Sequence, residues 1–191
     1  MNKGRLEAFS DGVMAIIITI MVLAMDTPDE VTLKALLPVV PVFVSYLLSY
    51  IYVGIYWINH HHIMQVTHRI NGVILWANLH LLFWLSLVPF TTNWIGKNHL
   101  SPVPVAFYGG VLLMSAIAFR LLENTLIRYH GEDFPLRKLH AGGKKEKISI
   151  LIYFSAIPLA FVCVWISIFL YFLMACLWVM PSKRLEKEME K

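Results

Sequence analysis

Three histidines in a row, two cysteines and a few acids set in apolar runs are the residues of this 191-residue sequence that could do chemistry. His60, His61 and His62 invite a metal reading, but consecutive helical residues point about 100° apart and a helix chelates through i, i+4 pairs. No metal site is expected there. Cys163 and Cys176 stand in apolar runs without Cys-x-x-Cys spacing, so they read as buried structural thiols and not as a disulfide or thiolate centre. Tyr52-Val-Gly-Ile-Tyr56 has the look of a carbonyl filter, yet it lies in mid-span with no second glycine and no re-entrant loop, and is read as chance. With no Gly-rich phosphate loop, His-Glu-x-x-His or Gly-x-Ser-x-Gly elbow, neither an enzyme nor a cofactor is expected. What remains is ion or proton chemistry. Asp11, His60, His80 and Glu123 are ionisable groups in otherwise apolar segments, where such groups mark ion paths and proton relays.

Those segments dominate the chain. Hydrophobic residues make up 58% of it and charged residues 15%, against roughly 45–50% and about 25% in a soluble domain. The fold class this implies is an all-α membrane protein. At about 20 apolar residues per crossing, the polar punctuation leaves one domain of six transmembrane helices. They cover residues 9–25, 36–59, 72–92, 103–122, 148–164 and 167–180, with a short tail at 181–191. The last two come from an uncharged run of 33 residues, Ile148 to Met180, which as one helix would reach about 50 Å and exceed a bilayer. A tight turn is placed near Trp165 to Ser167, with one long tilted helix as the alternative.

The net charge of +4 does not indicate nucleic acid, because the basic residues lie in loops and form no stripe. Thirteen of the 16 lysines and arginines fall on the side shared by the N-terminus, the 60–71 segment, the 129–147 loop and the tail. Both termini are therefore expected in the cytoplasm. Lys144, Lys145 and Lys147 are read as enforcing that topology, with attraction to anionic lipid as the alternative. Glu7 and Asp11 interrupt the front of any signal peptide, so the first span is expected to stay.

The first span carries the informative residues. Gly12 to Met25 gives only 14 uncharged residues, about 21 Å of helix, so the polar start Arg5 to Asp11 must enter the membrane or a protein-lined vestibule. Asp11 then needs a partner. Glu7 is a like charge one turn away and Arg5 lies about 240° around the helix, so the partner must come from another span. His60, His61, Arg69 and Arg120 are the candidates. Gly12, Ile16, Thr19, Ile20 and Leu23 fall within a stripe about 100° wide, with Asp11 about 140° from Ile16. Such a stripe is either packing or a pore wall closed by apolar rings that gate by dewetting. Elsewhere, Asn78 and His80 are expected to bond to adjacent helices, and Arg120 with Glu123 to form a local pair.

The string Arg5-Leu-Glu-Ala-Phe9-Ser10-Asp11-Gly12 at the start of the first of six spans closely resembles the transmembrane protein 175 family of potassium channels. Trp57-Ile-Asn-His-His61, Leu87-Val-Pro-Phe90 and the closing Pro158 to Phe161 and Trp178 to Pro181 are similar to that family too. Met14 departs from it, standing where members often carry Phe. The resemblance implies a homotetramer with the first helix of each chain lining a central pore. It implies Ile16, Ile20 and Leu23 as the apolar constriction and Thr19 as the residue that favours potassium over sodium. Arg5, Phe9, Ser10 and Asp11, with His60 and His61, are implied to anchor the pore helix to its neighbours.

The expected function is therefore passive, potassium-selective conduction in the plasma membrane of a prokaryote, with potassium ions, lipid and further copies of the chain as partners. A proton-coupled transporter built on Asp11, His60, His80 and Glu123 is the alternative.

Overall fold

The computed structural model describes residues 2–98, 100–132, 134–140 and 144–179. Met180 and the tail at 181–191 lie outside the described residues, and with them four of the cations used to set the orientation. All regular structure among the described residues is helical.

Helix α1 covers Lys3–Leu23. Asn2 caps it, its side-chain oxygen accepting from Gly4 N at 2.9 Å, so the polar start from Arg5 to Asp11 forms the first turns of the helix. A 3₁₀ segment, Leu33–Val39, contains Pro38, whose missing N–H and ring bulk prevent a continuous α-helix here. Helix α2 then runs over Val40–Gln65 with Pro41 in its first turn, where proline is tolerated. Helices α3 (Gly72–Ser86) and α4 (Val88–Lys97) divide at Leu87. Pro89 cannot donate back to residue 85, and Leu87 N bonds instead to Trp84 O at 3.2 Å. Helix α5 covers Pro102–His130 and stops at Gly131, whose φ of 86° glycine adopts without steric cost. A short α6 (Pro135–His140) precedes α7 (Lys144–Val162) and α8 (Val164–Val179).

Helices α7 and α8 form an antiparallel hairpin. Lys145 Nζ donates to Leu177 O at 3.2 Å, Trp178 Nε1 to Ser149 Oγ at 2.8 Å and Ser167 Oγ to Ala156 O at 2.7 Å. The long apolar run is thus two helices. Its break falls at Cys163 and not at Trp165 to Ser167, which belong to the first turn of α8. The cysteines also depart from expectation, Cys163 being half-buried at this break and Cys176 exposed.

By length and composition, four stretches can cross a membrane: Lys3–Leu23, Leu33–Gln65, Gly72–Lys97 and Pro102–His130. Helix α8 is apolar, but its 16 residues reach only about 24 Å.

The helices share two cores. In the first, α1 lies on α2, α3 and α4, and its Leu6, Met14, Ile17 and Met21 are buried among Ile74, Leu81, Leu85, Val111 and Leu122. In the second, α5 meets α7, α8 and α2 around Tyr52, Val105, Tyr108, Tyr153, Tyr171 and Met174. Helix α5 serves both.

Candidate functional site

Helix α1 has two unlike long faces. Met14, Ile17 and Met21 are 1%, 3% and 2% exposed, whereas Ile16, Ile20 and Leu23 are 56%, 47% and 80% exposed. The difference is one of phase: the buried set lies about 100–160° around the helix from Ile16. Gly12 and Thr19 are exposed with the apolar stripe. Helices α2, α3 and α4 therefore cover one side of α1, while the exposed side borders open grooves, Ile16 and Ile20 beside Ser86, Pro89, Phe90 and Asn93, and Arg5 and Phe9 beside Ile70, Leu75 and Leu79. Thr19 Oγ1 donates back to Ile16 O at 2.9 Å, with Ala15 O at 3.2 Å. Because the proton stays on its own helix, the lone pairs of that hydroxyl face outward.

A polar chain holds the N-terminal half of the buried face. Ser10 Oγ donates to Leu6 O at 2.8 Å, so it must receive its other bond, which comes from Asn78 Nδ2 at 2.9 Å. That fixes the amide: Asn78 Oδ1 accepts from His60 Nε2 at 2.8 Å. Ser10, Asn78 and His60 are all buried. Three helices, α1, α3 and α2, are thereby joined at one level by a buried chain of directed hydrogen bonds, which ties them to one geometry.

Asp11 lies outside this chain. Its Oδ1 accepts from Trp57 Nε1 on α2 at 2.9 Å, so the partner comes from another helix, but none of His60, His61, Arg69 or Arg120 supplies it. His61 stacks on the same indole, with ring centroids 6.1 Å apart, and bonds to Gln65 at 2.8 Å. Trp57 and His61 stand one turn apart and so share a face of α2. A carboxylate is satisfied by a neutral N–H as well as by a cation, which a search for opposite charges overlooks. Arg5 and Phe9 are exposed on the uncovered side of α1.

The other ionisable groups do not join Asp11. His80 accepts from Trp84 Nε1 on its own helix at 3.0 Å, not from a neighbouring helix. Arg120 and Glu123 line a cavity of about 40 Å³ between α2, α5, α7 and α8, with Glu146, Tyr52, Tyr56 and Tyr153. Arg120 Nη1 reaches Glu146 Oε2 on α7 at 3.8 Å. No residue of α1 lines that cavity.

Sequence reasoning missed a second polar cluster, in the other core. Tyr52 donates to Tyr171 O at 2.6 Å, Tyr153 to Tyr52 Oη at 3.2 Å and Tyr171 to Val105 O at 3.2 Å. Beside it, Ser49 bonds to Thr92 at 2.7 Å and to Tyr108 at 3.1 Å. Only the register between helices brings these hydroxyls together, and no local spacing announces it.

The family described as endosomal/lysosomal potassium channel TMEM175 matches residues 5–89, which cover nearly all of α1 and the whole of α2 and α3. A potassium channel of a Chryseobacterium species is 52% identical over 191 residues, covering all of both chains. One from Chamaesiphon minutus is 30% identical over 193 residues, covering 95% of each. The crystal structure of a lysosomal potassium-selective channel TMEM175 homolog from Chamaesiphon minutus superposes with a TM-score of 0.81 at 28% identity, over 93% of this chain and 96% of that one. Likeness at that level over the whole length, and not over one helix, carries the conclusion: this membrane protein belongs to the TMEM175 family.

Proposed function

We propose that the protein is a potassium-selective channel that conducts passively, built from four copies with α1 of each around a central pore. The observation that carries this reading is the exposed stripe of α1, apolar for most of its length, which borders an open groove beside Ser86, Pro89, Phe90 and Asn93 and is not packed under another helix of its own chain. In the tetramer Ile16, Ile20 and Leu23 form rings that close the path by dewetting. Thr19, between them, turns oxygen lone pairs toward a partly dehydrated ion, and this is how we read its preference for potassium. Ser10 with Asn78 and His60, and Asp11 with Trp57 and His61, hold the inner half of α1. Arg5 and Phe9, on the uncovered side, face the neighbouring copy.

Each chain contributes six spans in this reading, the α7–α8 hairpin supplying the last two. Both termini face the cytoplasm of a prokaryote by the positive-inside bias, and the membrane is the plasma membrane. A proton-coupled transporter is not favoured. Its relay would need Asp11, His60, His80 and Glu123 in line, whereas Glu123 lines a cavity that α1 does not reach. The family is one of channels, which is not an enzyme class.

Planar-bilayer recording of purified protein between potassium and sodium solutions tests the reading. The expected result is a passive current whose reversal potential lies toward the potassium equilibrium value. A current that requires a proton gradient, or no current, would overturn it.

A further inference from the structure

The polar chain at Ser10 holds α1 near one end, but Ile20 and Leu23 lie ten and thirteen residues further on, about 15–20 Å along the axis. Something must hold that outer half. One ion pair is available, Lys97 Nζ to Asp26 Oδ2 at 3.1 Å, but its side chains are 50% and 83% exposed, and pairs that exposed fix little. The buried alternative is Met21. It lies about 140° around the helix from Ile16, is 2% exposed, and its sulfur rests 3.8 Å from Thr92 Oγ1 on α4.

Thr92 is itself held by two hydrogen bonds, one of them backed by a third. Its hydroxyl donates to Val88 O at 2.7 Å, so Ser49 must donate to Thr92 across 2.7 Å, and Tyr108 to Ser49 across 3.1 Å. The one Thr92 proton goes to the near carbonyl at 2.7 Å and not to the sulfur at 3.8 Å. The chain Tyr108 to Ser49 to Thr92 to Val88 O runs from α5 through α2 to α4, and all three side chains are buried. Packing alone would be served by valine at position 92, which has the same shape and no desolvation cost. Three buried hydroxyls that are satisfied in one geometry instead fix the mutual register of the helices that carry them.

We propose that Thr92 is a positioning residue for potassium conduction: locked by Ser49 and Tyr108, it seats Met21 and so sets how far Ile20 and Leu23 project into the pore. The inference rests on the channel reading above. In this account the constriction is adjusted from behind, by a side chain that touches neither ion nor water path. A methionine suits the seat, because its polarisable, flexible side chain follows a polar surface that leucine cannot match.

The test compares wild type, Thr92→Val, Thr92→Ser and Met21→Leu as purified, size-checked tetramers in bilayers between potassium and sodium solutions. A dewetting barrier responds steeply to the width of its constriction. Thr92→Val and Met21→Leu are therefore expected to change unitary conductance or the potassium-to-sodium permeability ratio by about threefold or more. Thr92→Ser keeps the hydroxyl and should stay near wild type. A purely structural role would lower melting temperature or tetramer yield in Thr92→Val and leave the ratio of the assembled fraction unmoved. Assembled Thr92→Val and Met21→Leu channels with wild-type conductance and ratio would therefore overturn the proposal. So would loss of assembly in both, since Met21→Leu conserves volume and should fold if the seat only tunes the pore. Failure of the wild type to conduct potassium would sink the channel reading itself, and is distinguished by being seen before any substitution.

Discussion

The two cores of this protein are held together differently. Around α1, apolar side chains pack one face of a helix, a three-residue polar chain fixes its N-terminal half, and the opposite face is left exposed. Around α7 and α8, tyrosines bond across helices, and a glycine makes room for one of them: a Cβ at Gly109 would run into the phenol of the fully buried Tyr171. The first region is built to hold one helix by its back while its front stays free. The second is bonded largely within itself, and it meets the first where Met21 rests against Thr92. We read the first as the conducting part and the second as the frame, so a lesion in the frame should change stability, and one in the α1 anchors should also change conduction.

Gly109→Ala gives the largest expected effect on stability. The new methyl would also press on Ile157 Cγ1 at 3.2 Å, so Tyr171 must move and give up its bond to Val105. Overpacking of this kind costs about 3 kcal/mol, at the upper end of its range. A lowered melting temperature in detergent, with an unchanged permeability ratio in whatever tetramer survives, is the expected result. Selectivity lost in step with stability would erase the distinction between the two regions.

Asn78→Ala should be milder for stability and worse for conduction. It leaves Ser10 without its donor and His60 without its acceptor, a cost of about 2 kcal/mol for buried groups so stranded. Single-channel recording should show altered conductance or open probability at temperatures where the protein is still folded. Wild-type currents from a destabilised Asn78→Ala protein would mean that the polar chain holds the fold and not the pore helix.

These regions also differ in how far the sequence exposes them. The stripe of Ile16, Thr19, Ile20 and Leu23 follows from a helical period alone, and the same arithmetic put Asp11 off the stripe and demanded a partner on another helix. The partner itself was not legible. Opposite charge points to two histidines and two arginines, whereas an indole N–H at Trp57 does the work within one turn of His61. The hydroxyl chains in the second core are less legible still. Tyr52, Tyr108, Tyr153 and Tyr171 each read as one more aromatic in an apolar run, and only inter-helix register makes them a network. The hairpin break shows the same limit. Length required a turn between Ile148 and Met180, but no glycine or proline marks Cys163, and Ser167, which looked like a turn residue, bonds to Ala156 O across the hairpin. Periodicity along one helix is local information, and who meets whom between helices is not.

The central claim is that the bare face of α1 lines the ion path, and substituted-cysteine accessibility tests it most directly. Cys176 is exposed, so both native cysteines are first replaced by alanine. Single cysteines are then placed at Ile16, Ile20 and Leu23 on the bare face and at Met14, Ile17 and Met21 on the covered one, and potassium current is recorded while silver ions are applied. The account predicts irreversible block at the first three positions and little change at the second three. Block confined to Met14, Ile17 and Met21, or current that persists through all six, would contradict it.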